Sequence, residues 1–492
     1  MDLFYPPILK VELADIEASE IDFSSRSYRI ILGRDLIKTL SQEALLGIIH
    51  HELNHWVKHP YDVRTIILED HYLGGMPNSD VIRNFFDDAV ANLDLVVNKG
   101  LMEVSKAYAE IPAITKVDRL LRAFYREVTG LDFGSRRGTE FQDRLKELTR
   151  MDFLDTTRRR IRSNIRRFAE IVGDLVEAEI VPFSLFSLKN FSPDEIKSAM
   201  RNIAEELDPK EYREVAEKVL NRVTELGISP GKASLIRDLE RPDIHWYKTR
   251  SNRYAICIKA FSKKDSLYPL ELKDFELDDN MDIFSPVESY GKVLPGLAKK
   301  YQLEEFEGHG KLSIPDVVII MDSSGSMRHP DLDISYAVLG AFSIARNYFE
   351  HDSRVGVINF SDTNLEVEPT WDKARSYEML KVYQGGGTML DLDRLRRYLN
   401  KLGNRVEEMD LILITDAGID NINGVVDCLS KLKARATIIW IRGDAKGHQG
   451  FEKGYRLLKE GLPLSVTFVE IEDEKEIPSI AVGKSFRVHG RH

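Results

Sequence analysis

Val317-Val318-Ile319-Ile320-Met321, followed at once by Asp322-Ser323-Ser324-Gly325-Ser326, is the stretch that decides the fold of the C-terminal part. An unbroken β-branched and apolar run without polar alternation is what a strand buried on both faces requires. Residues 355–360, 411–414 and 437–441 repeat the pattern, and helical stretches separate them. The spacing predicts a doubly wound α/β domain built on a parallel sheet.

The polar residues that close these runs carry chemistry. Asp322, Ser324 and Ser326 form a DxSxS loop, Thr388 follows Gly385-Gly386-Gly387, and Asp416 ends the strand over 411–415. Carboxylates and hydroxyls suit a hard cation, Mg²⁺ or else Mn²⁺ or Ca²⁺, and open α/β sheets place ligands at the carboxyl ends of their strands. A partner's Asp or Glu can complete such a site, which makes it a metal-gated docking surface. The plainer alternative is that Asp322 and Asp416 cap strand ends while the serines form a turn. The glycine run is no nucleotide loop, because it lacks the Gly-Lys-Ser/Thr ending.

Far upstream, His51-Glu52-Leu53-Asn54-His55 is an HExxH motif on a predicted helix over 42–58, with Ser41 as N-cap, a Leu45/Ile49/Leu53 stripe and Pro60 as the stop. Residues four apart share one helix face about 6 Å apart, so the imidazoles of His51 and His55 can converge on one Zn²⁺. Glu52 is then the general base for amide hydrolysis by a zinc-bound water. Catalytic zinc takes a third protein ligand. His59 lies about 12 Å along a straight helix from His51 and is expected to cap the helix C-terminus instead. The run over 83–92 puts Asp88 and Asn92 on a face with Asn84, and Asp88 is the choice. Glu69, Asp70 and Asp87 are alternatives, each equally able to accept from a histidine N–H. An ordinary solvated helix face is the competing reading of the whole motif.

Composition narrows the partners. The 492 residues carry a net charge of −11, with 43% hydrophobic and 30% charged residues, which excludes wholesale disorder and argues against nucleic acid or an anionic membrane as a partner. Only Cys257 and Cys428 are present, so a disulfide framework is excluded. The N-terminus lacks a basic, then apolar leader, and no apolar run approaches ~18 residues; a cytoplasmic protein without membrane contact is expected. Arg158, Arg159, Arg160, Arg162, Arg166 and Arg167 are read as the solvated face of an amphipathic helix, with an anionic partner as the alternative. His71 and Tyr72 are weighed as oxyanion donors and left out of the site.

With these motifs quoted, residues 313–480 resemble a von Willebrand factor A (VWA) domain with an intact metal-ion-dependent adhesion site. His51-Glu52-x-x-His55 followed by Asn84-x-x-x-Asp88-x-x-x-Asn92 is similar to the pattern of prokaryotic metallopeptidase-type proteins that carry a VWA-like domain at their C-terminus. The resemblance implies Asp88 as the third zinc ligand and a MoxR-type AAA+ ATPase as a partner. The expected layout is a zincin-like α+β domain over 1–100, a helical region over 101–262, an irregular linker over 263–312, the VWA domain over 313–480 and a tail over 481–492. The leading expectation is a zinc-dependent peptidase acting on a protein or peptide. Its rival is a non-catalytic VWA adaptor of such an ATPase, with a structural metal in the N-terminal domain.

Overall fold

The computed structural model describes residues 10–15, 19–22, 29–135, 141–176, 188, 191–225, 230–259, 261–262, 268–276, 284–286, 289–291, 293–294, 297–304, 312–432, 434–444 and 451–482. Much of the expected linker and most of the expected tail, from 483 on, lie outside them. The chain forms two compact units, residues 1–246 and 247–492.

In the first unit, β1 (Lys10–Ala14), β2 (Ser19–Asp22) and β3 (Arg29–Gly33) make a sheet of order β1-β3-β2, with β1 parallel and β2 antiparallel to β3. Short α1 (Arg34–Thr39) leads to α2 (Gln42–Val57), where the Ser41 hydroxyl accepts the Ala44 N–H as N-cap. Pro60, which cannot continue a helix, follows its end. Then come α3 (Val63–Tyr72), α4 (Ser79–Leu93), α5 (Glu103–Glu110), α6 (Lys116–Thr129), α7 (Gln142–Leu148), α8 (Arg158–Val172), α9 (Pro193–Glu206), α10 (Pro209–Glu225) and α11 (Pro230–Leu239).

Packing around α2 departs from the expected stripe. Leu45 and Ile49 are only half-buried and Leu46 and Val57 are exposed, whereas Ala44, Gly47, Ile48, His51, Glu52 and His55 are buried. The helix is held from two sides. Ala44, Ile48 and Leu53 pack with Ile30 and Leu32 of β3, Ile66 of α3 and Ala107 of α5. The polar side is covered by α4, where every residue from Val81 to Leu93 is buried. Gly47 allows α5 to approach: a Cβ there would lie 2.3 Å from the Glu103 carbonyl oxygen. Because α4 is buried along its length, its polar groups must find partners inside the protein, and the buried polar residues of the HExxH motif lie against them.

The second unit begins inside α12 (Pro242–Ser251) and continues through β4 (Cys257–Ile258), β5 (Phe261–Ser262), β6 (Tyr268–Asp274), β7 (Lys299–Glu304) and β8 (Leu312–Ser313). Within the stretch expected to be irregular, β6 and β7 pair antiparallel, and β8 pairs with β5. The main sheet and its helices follow as β9 (Val317–Asp322), α13 (Tyr336–Glu350), β10 (Val355–Phe360), β11 (Asn364–Thr370), α14 (Lys373–Lys381), α15 (Leu392–Leu402), β12 (Asp410–Thr415), α16 (Ile422–Ser430), β13 (Arg435–Ile441), α17 (Glu452–Gly461) and β14 (Thr467–Ile471). Their order is β11-β10-β9-β12-β13-β14, all parallel except β11, which runs antiparallel to β10. Counted along the chain this is 3-2-1-4-5-6, the doubly wound order, with its switch point between β9 and β12. A last strand, β15 (Ala481–Val482), pairs with β4.

The four expected strands are the central ones. They read clearly because both faces are covered: Val318, Ile320, Phe360 and Leu413 pack with Leu395 of α15, Val425 of α16 and Leu458 of α17. Residues of the alternate register, Ile319, Val357 and Ile412, are buried too, and α13 and α14 pack against the sheet. The edge strands β11 and β14 are half-exposed and gave no continuous apolar run. Among the described residues no helix is long and apolar enough to cross a membrane.

Candidate metal centres

Two buried helices and the turn after one of them build the first centre. His51 and His55 lie one turn apart on α2, and Asp88 arrives from α4; all three are buried and can hold a metal ion. His51 Nε2 and His55 Nε2 are 3.0 Å apart, and Asp88 Oδ1 lies 3.4 Å from the first and 3.2 Å from the second. Ligands ~2.0–2.1 Å from one tetrahedral ion sit about 3.3 Å from each other, so these spacings fit zinc-type coordination.

The ring orientations follow from what the other nitrogens do. His55 Nδ1 lies 3.0 Å from the His59 carbonyl, which can only accept, so that nitrogen carries the proton. Asn92 donates its amide N–H groups to the Tyr108 and Tyr125 hydroxyls at 2.9 and 3.3 Å, which leaves its carbonyl oxygen to accept from His51 Nδ1 at 2.8 Å. With both rings neutral, the two Nε2 lone pairs would point at one spot beside a carboxylate, where a cation could be held.

Charge responds accordingly. Burial lowers the basicity of His51, but Asp88 and the nearby Glu52 charge override it and raise its pKa to about 9. Burial opposes ionisation of Asp88, yet the two imidazoles hold it down at about 2. Glu52 is fully buried beside them. A cavity of about 20 Å³ opens next to His51, lined by Gly47, Val104, Tyr108 and Arg122. That is room for one water and not for a peptide.

The second centre sits at the switch point of the main sheet. Asp322 ends β9 and Asp416 follows β12, both fully buried. Hydrogen bonds tie the loops together: Gly325 N–H donates to the Gly386 carbonyl and Gly385 N–H to that of Ser323, both at 2.9 Å, while Asp420 N–H donates to Thr388 at 2.8 Å. Asp322 accepts from Ser324 N–H at 3.0 Å and from the Thr415 hydroxyl at 2.7 Å, and the Ser324 and Ser326 hydroxyls are 3.1 Å apart. The five residues singled out in sequence thus lie on loops stitched to one another. Burial first, and then the Asp416 charge, push Asp322 up to about 7, because two buried carboxylates in one place disfavour each other's ionisation.

Several residues behave otherwise than the sequence predicts. His59 does not cap α2: it is buried, with its Nε2 at 2.6 Å from Glu69 Oε1 and 3.1 Å from Asp87 Oδ1. The chain turns inward after Lys58, which takes the ring away from the helix end. Glu69 and Asp87, weighed as alternatives to Asp88, join this separate group, and Asp70 instead pairs with Arg83 and Arg222. His71 faces Glu211 at 3.5 Å, and the Tyr72 hydroxyl accepts from Arg158. The arginine run of α8 is as expected the solvated face of an amphipathic helix: Arg159, Arg160, Arg162, Arg166 and Arg167 are exposed while Ile161, Ile165 and Phe168 are buried, and Arg162 and Arg167 lie 3.2 Å from Glu211 and 3.6 Å from Glu147. The roles of Asn92, Tyr108 and Tyr125 were not visible in the sequence; the i, i+4 step from Asp88 to Asn92 was the available signal.

No family model matches the chain, and no curated protein matches it. Among solved structures, a von Willebrand factor type A protein from Catenulispora acidiphila is similar at 20% identity and a TM-score of 0.24, over 34% of this chain and 41% of that one. A likeness of that size carries no argument; the chain spans well under half of that structure.

Proposed function

We propose that the protein is a zinc-dependent peptidase, with His51, His55 and Asp88 as metal ligands and Glu52 as general base, coupled to a VWA-type docking surface that needs Mg²⁺. The observation that carries the reading is the convergence of two Nε2 atoms and one carboxylate oxygen within 3.0–3.4 Å. Zinc held there supplies a Lewis acid that polarises an amide carbonyl and brings the pKa of a water to about 7. Glu52 takes the proton from the attacking water and delivers it to the leaving amine. Asn92 and the His59 carbonyl hold the imidazoles in the metal-binding tautomer. Only three protein ligands converge among the described residues, which leaves a position open, as hydrolysis requires.

The docking reading is supported by the DxSxS loop, Thr388 and Asp416 at the switch point of a 3-2-1-4-5-6 sheet. Asp322, Ser324, Ser326, Thr388 and Asp416 would hold the cation, and an acidic side chain of the partner would complete it. A MoxR-type AAA+ ATPase as that partner rests on the sequence resemblance.

One observation favours the rival adaptor reading. The cavity beside His51 has room for about one water, and Glu52 is not among the residues that line it. Glu52→Gln separates the two. In the peptidase, cleavage of a peptide library falls by about 10²–10⁴-fold while zinc content is unchanged. Absence of cleavage by the zinc-loaded wild type, with and without the ATPase, sinks the peptidase and leaves the adaptor.

A further inference from the structure

We infer that His59, Glu69 and Asp87 form a second site for a divalent transition-metal cation, distinct from the His51/His55/Asp88 centre. The three come from the turn after α2, from α3 and from α4, and each offers one ligand atom within 4.8 Å of the others. All three side chains are fully buried.

The contact geometry separates a metal site from an ion pair. In an ion pair the ring N–H points along the line to the carboxylate oxygen, whereas ligands of one ion aim at a common point off that line. His59 Nε2 is 2.6 Å from Glu69 and 3.1 Å from Asp87, so an ion would have to spread the first pair toward the spacing of shared ligands; yet His59 Nε2, both oxygens of Glu69 and both oxygens of Asp87 lack a partner in hydrogen-bond geometry, and Arg83 Nε lies 3.8 Å from Asp87 Oδ2. Asp88 Oδ1 in the first centre carries the same signature. Four buried carboxylate oxygens without a well-aimed donor are far from ordinary, since buried polar atoms are nearly always hydrogen-bonded. Asn84, three residues before Asp87 on α4, is also fully buried with neither amide atom hydrogen-bonded, so another oxygen donor stands on the same helix.

One imidazole with two carboxylates is a donor set of borderline hardness, suited to Zn²⁺, Mn²⁺ or Fe²⁺ more than to Mg²⁺. The site touches the first through the backbone: the His59 carbonyl accepts from His55 Nδ1. A cation on the His59 ring would fix that carbonyl, and with it the His55 tautomer.

The test does not involve hydrolysis, so its outcome is independent of the peptidase reading. Full-length protein stripped with a chelator is titrated with Zn²⁺ in excess Mg²⁺, which keeps the sheet site filled, and zinc per chain is counted by native mass spectrometry. Wild type is expected to hold two ions, Glu69→Gln one and His55→Ala one. A count that Glu69→Gln leaves unchanged overturns the proposal, whatever the count is. If Glu69→Gln fails to fold, anomalous scattering from zinc-soaked wild-type crystals decides: a peak bounded by His59, Glu69 and Asp87 supports the site, and its absence overturns it.

Discussion

The two compact units each gather buried acids, but they meet the resulting electrostatic problem differently. In the first, Asp88 faces two imidazoles, and a proton on His51 satisfies it when no metal is bound, which is why His51 rises to about 9 and Asp88 falls to about 2. In the second, Asp322 faces Asp416 and hydroxyls, and with no base nearby Asp322 itself must hold a proton, at a pKa of about 7. Nitrogen donors make a site that tolerates metal loss; an all-oxygen site becomes acid-dependent without its cation. On the proposed reading the same difference would sort the metals, borderline Zn²⁺ to the first and hard Mg²⁺ to the second.

The comparison breaks most sharply if the two sites are not independent. Asp322→Ala should abolish Mg²⁺ binding, read by calorimetry, with zinc content untouched, and His51→Ala should do the converse. Loss of both metals in either variant would mean that one unit cannot keep its site without the other. Next in size is Asn92→Ala. Removing the group that orients His51 should weaken zinc binding by about 10–100-fold in chelator competition. An unchanged affinity would show that the tautomer is set by something other than Asn92.

A smaller effect is expected where α5 closes over α2. Gly47→Ala drives a methyl against the Glu103 carbonyl and should cost about 1–3 kcal/mol, seen as a lowered melting temperature. A neutral or stabilising result would mean that the two helices are not held as closely as described. The smallest effect is in the pH dependence. Asp322 ionises at 3.8 in the free state and at about 7 when folded. The folded, metal-free protein therefore binds a proton that the unfolded chain has released across that window, so stability is full below it and falls as pH rises through 7. Mg²⁺ should remove the fall. Metal-free melts that are flat with pH would show that Asp322 and Asp416 do not face each other as a bare pair.

Much of this was legible locally. A period of 3.6 residues places His51 and His55 on one face whatever the rest of the chain does, and Ser41 and Pro60 bracket the helix by rules of capping and backbone geometry. The continuous apolar runs of β9, β10, β12 and β13 likewise require cover on both faces, and the polar residues that end them must then cluster at one edge of a parallel sheet. The edge strands escaped because half-exposed strands lose that signature.

What sequence alone determined is thus each local pairing of residue type with helix or strand position: the imidazole pair, the DxSxS loop, the central strands. Only tertiary structure decided which carboxylate arrives at which histidine. Asp87 and Asp88 are neighbours on α4, about 100° apart around its axis, so they face different partners, and the angle at which the helix is set decides which acid meets which histidine. The packing of α3, α4 and α2 sets that angle, so Asp88 goes to His51 and His55 while Asp87 goes to His59 with Glu69. No spacing rule carries such information, because it is fixed by how the bulky side chains of three consecutive helices interlock in space.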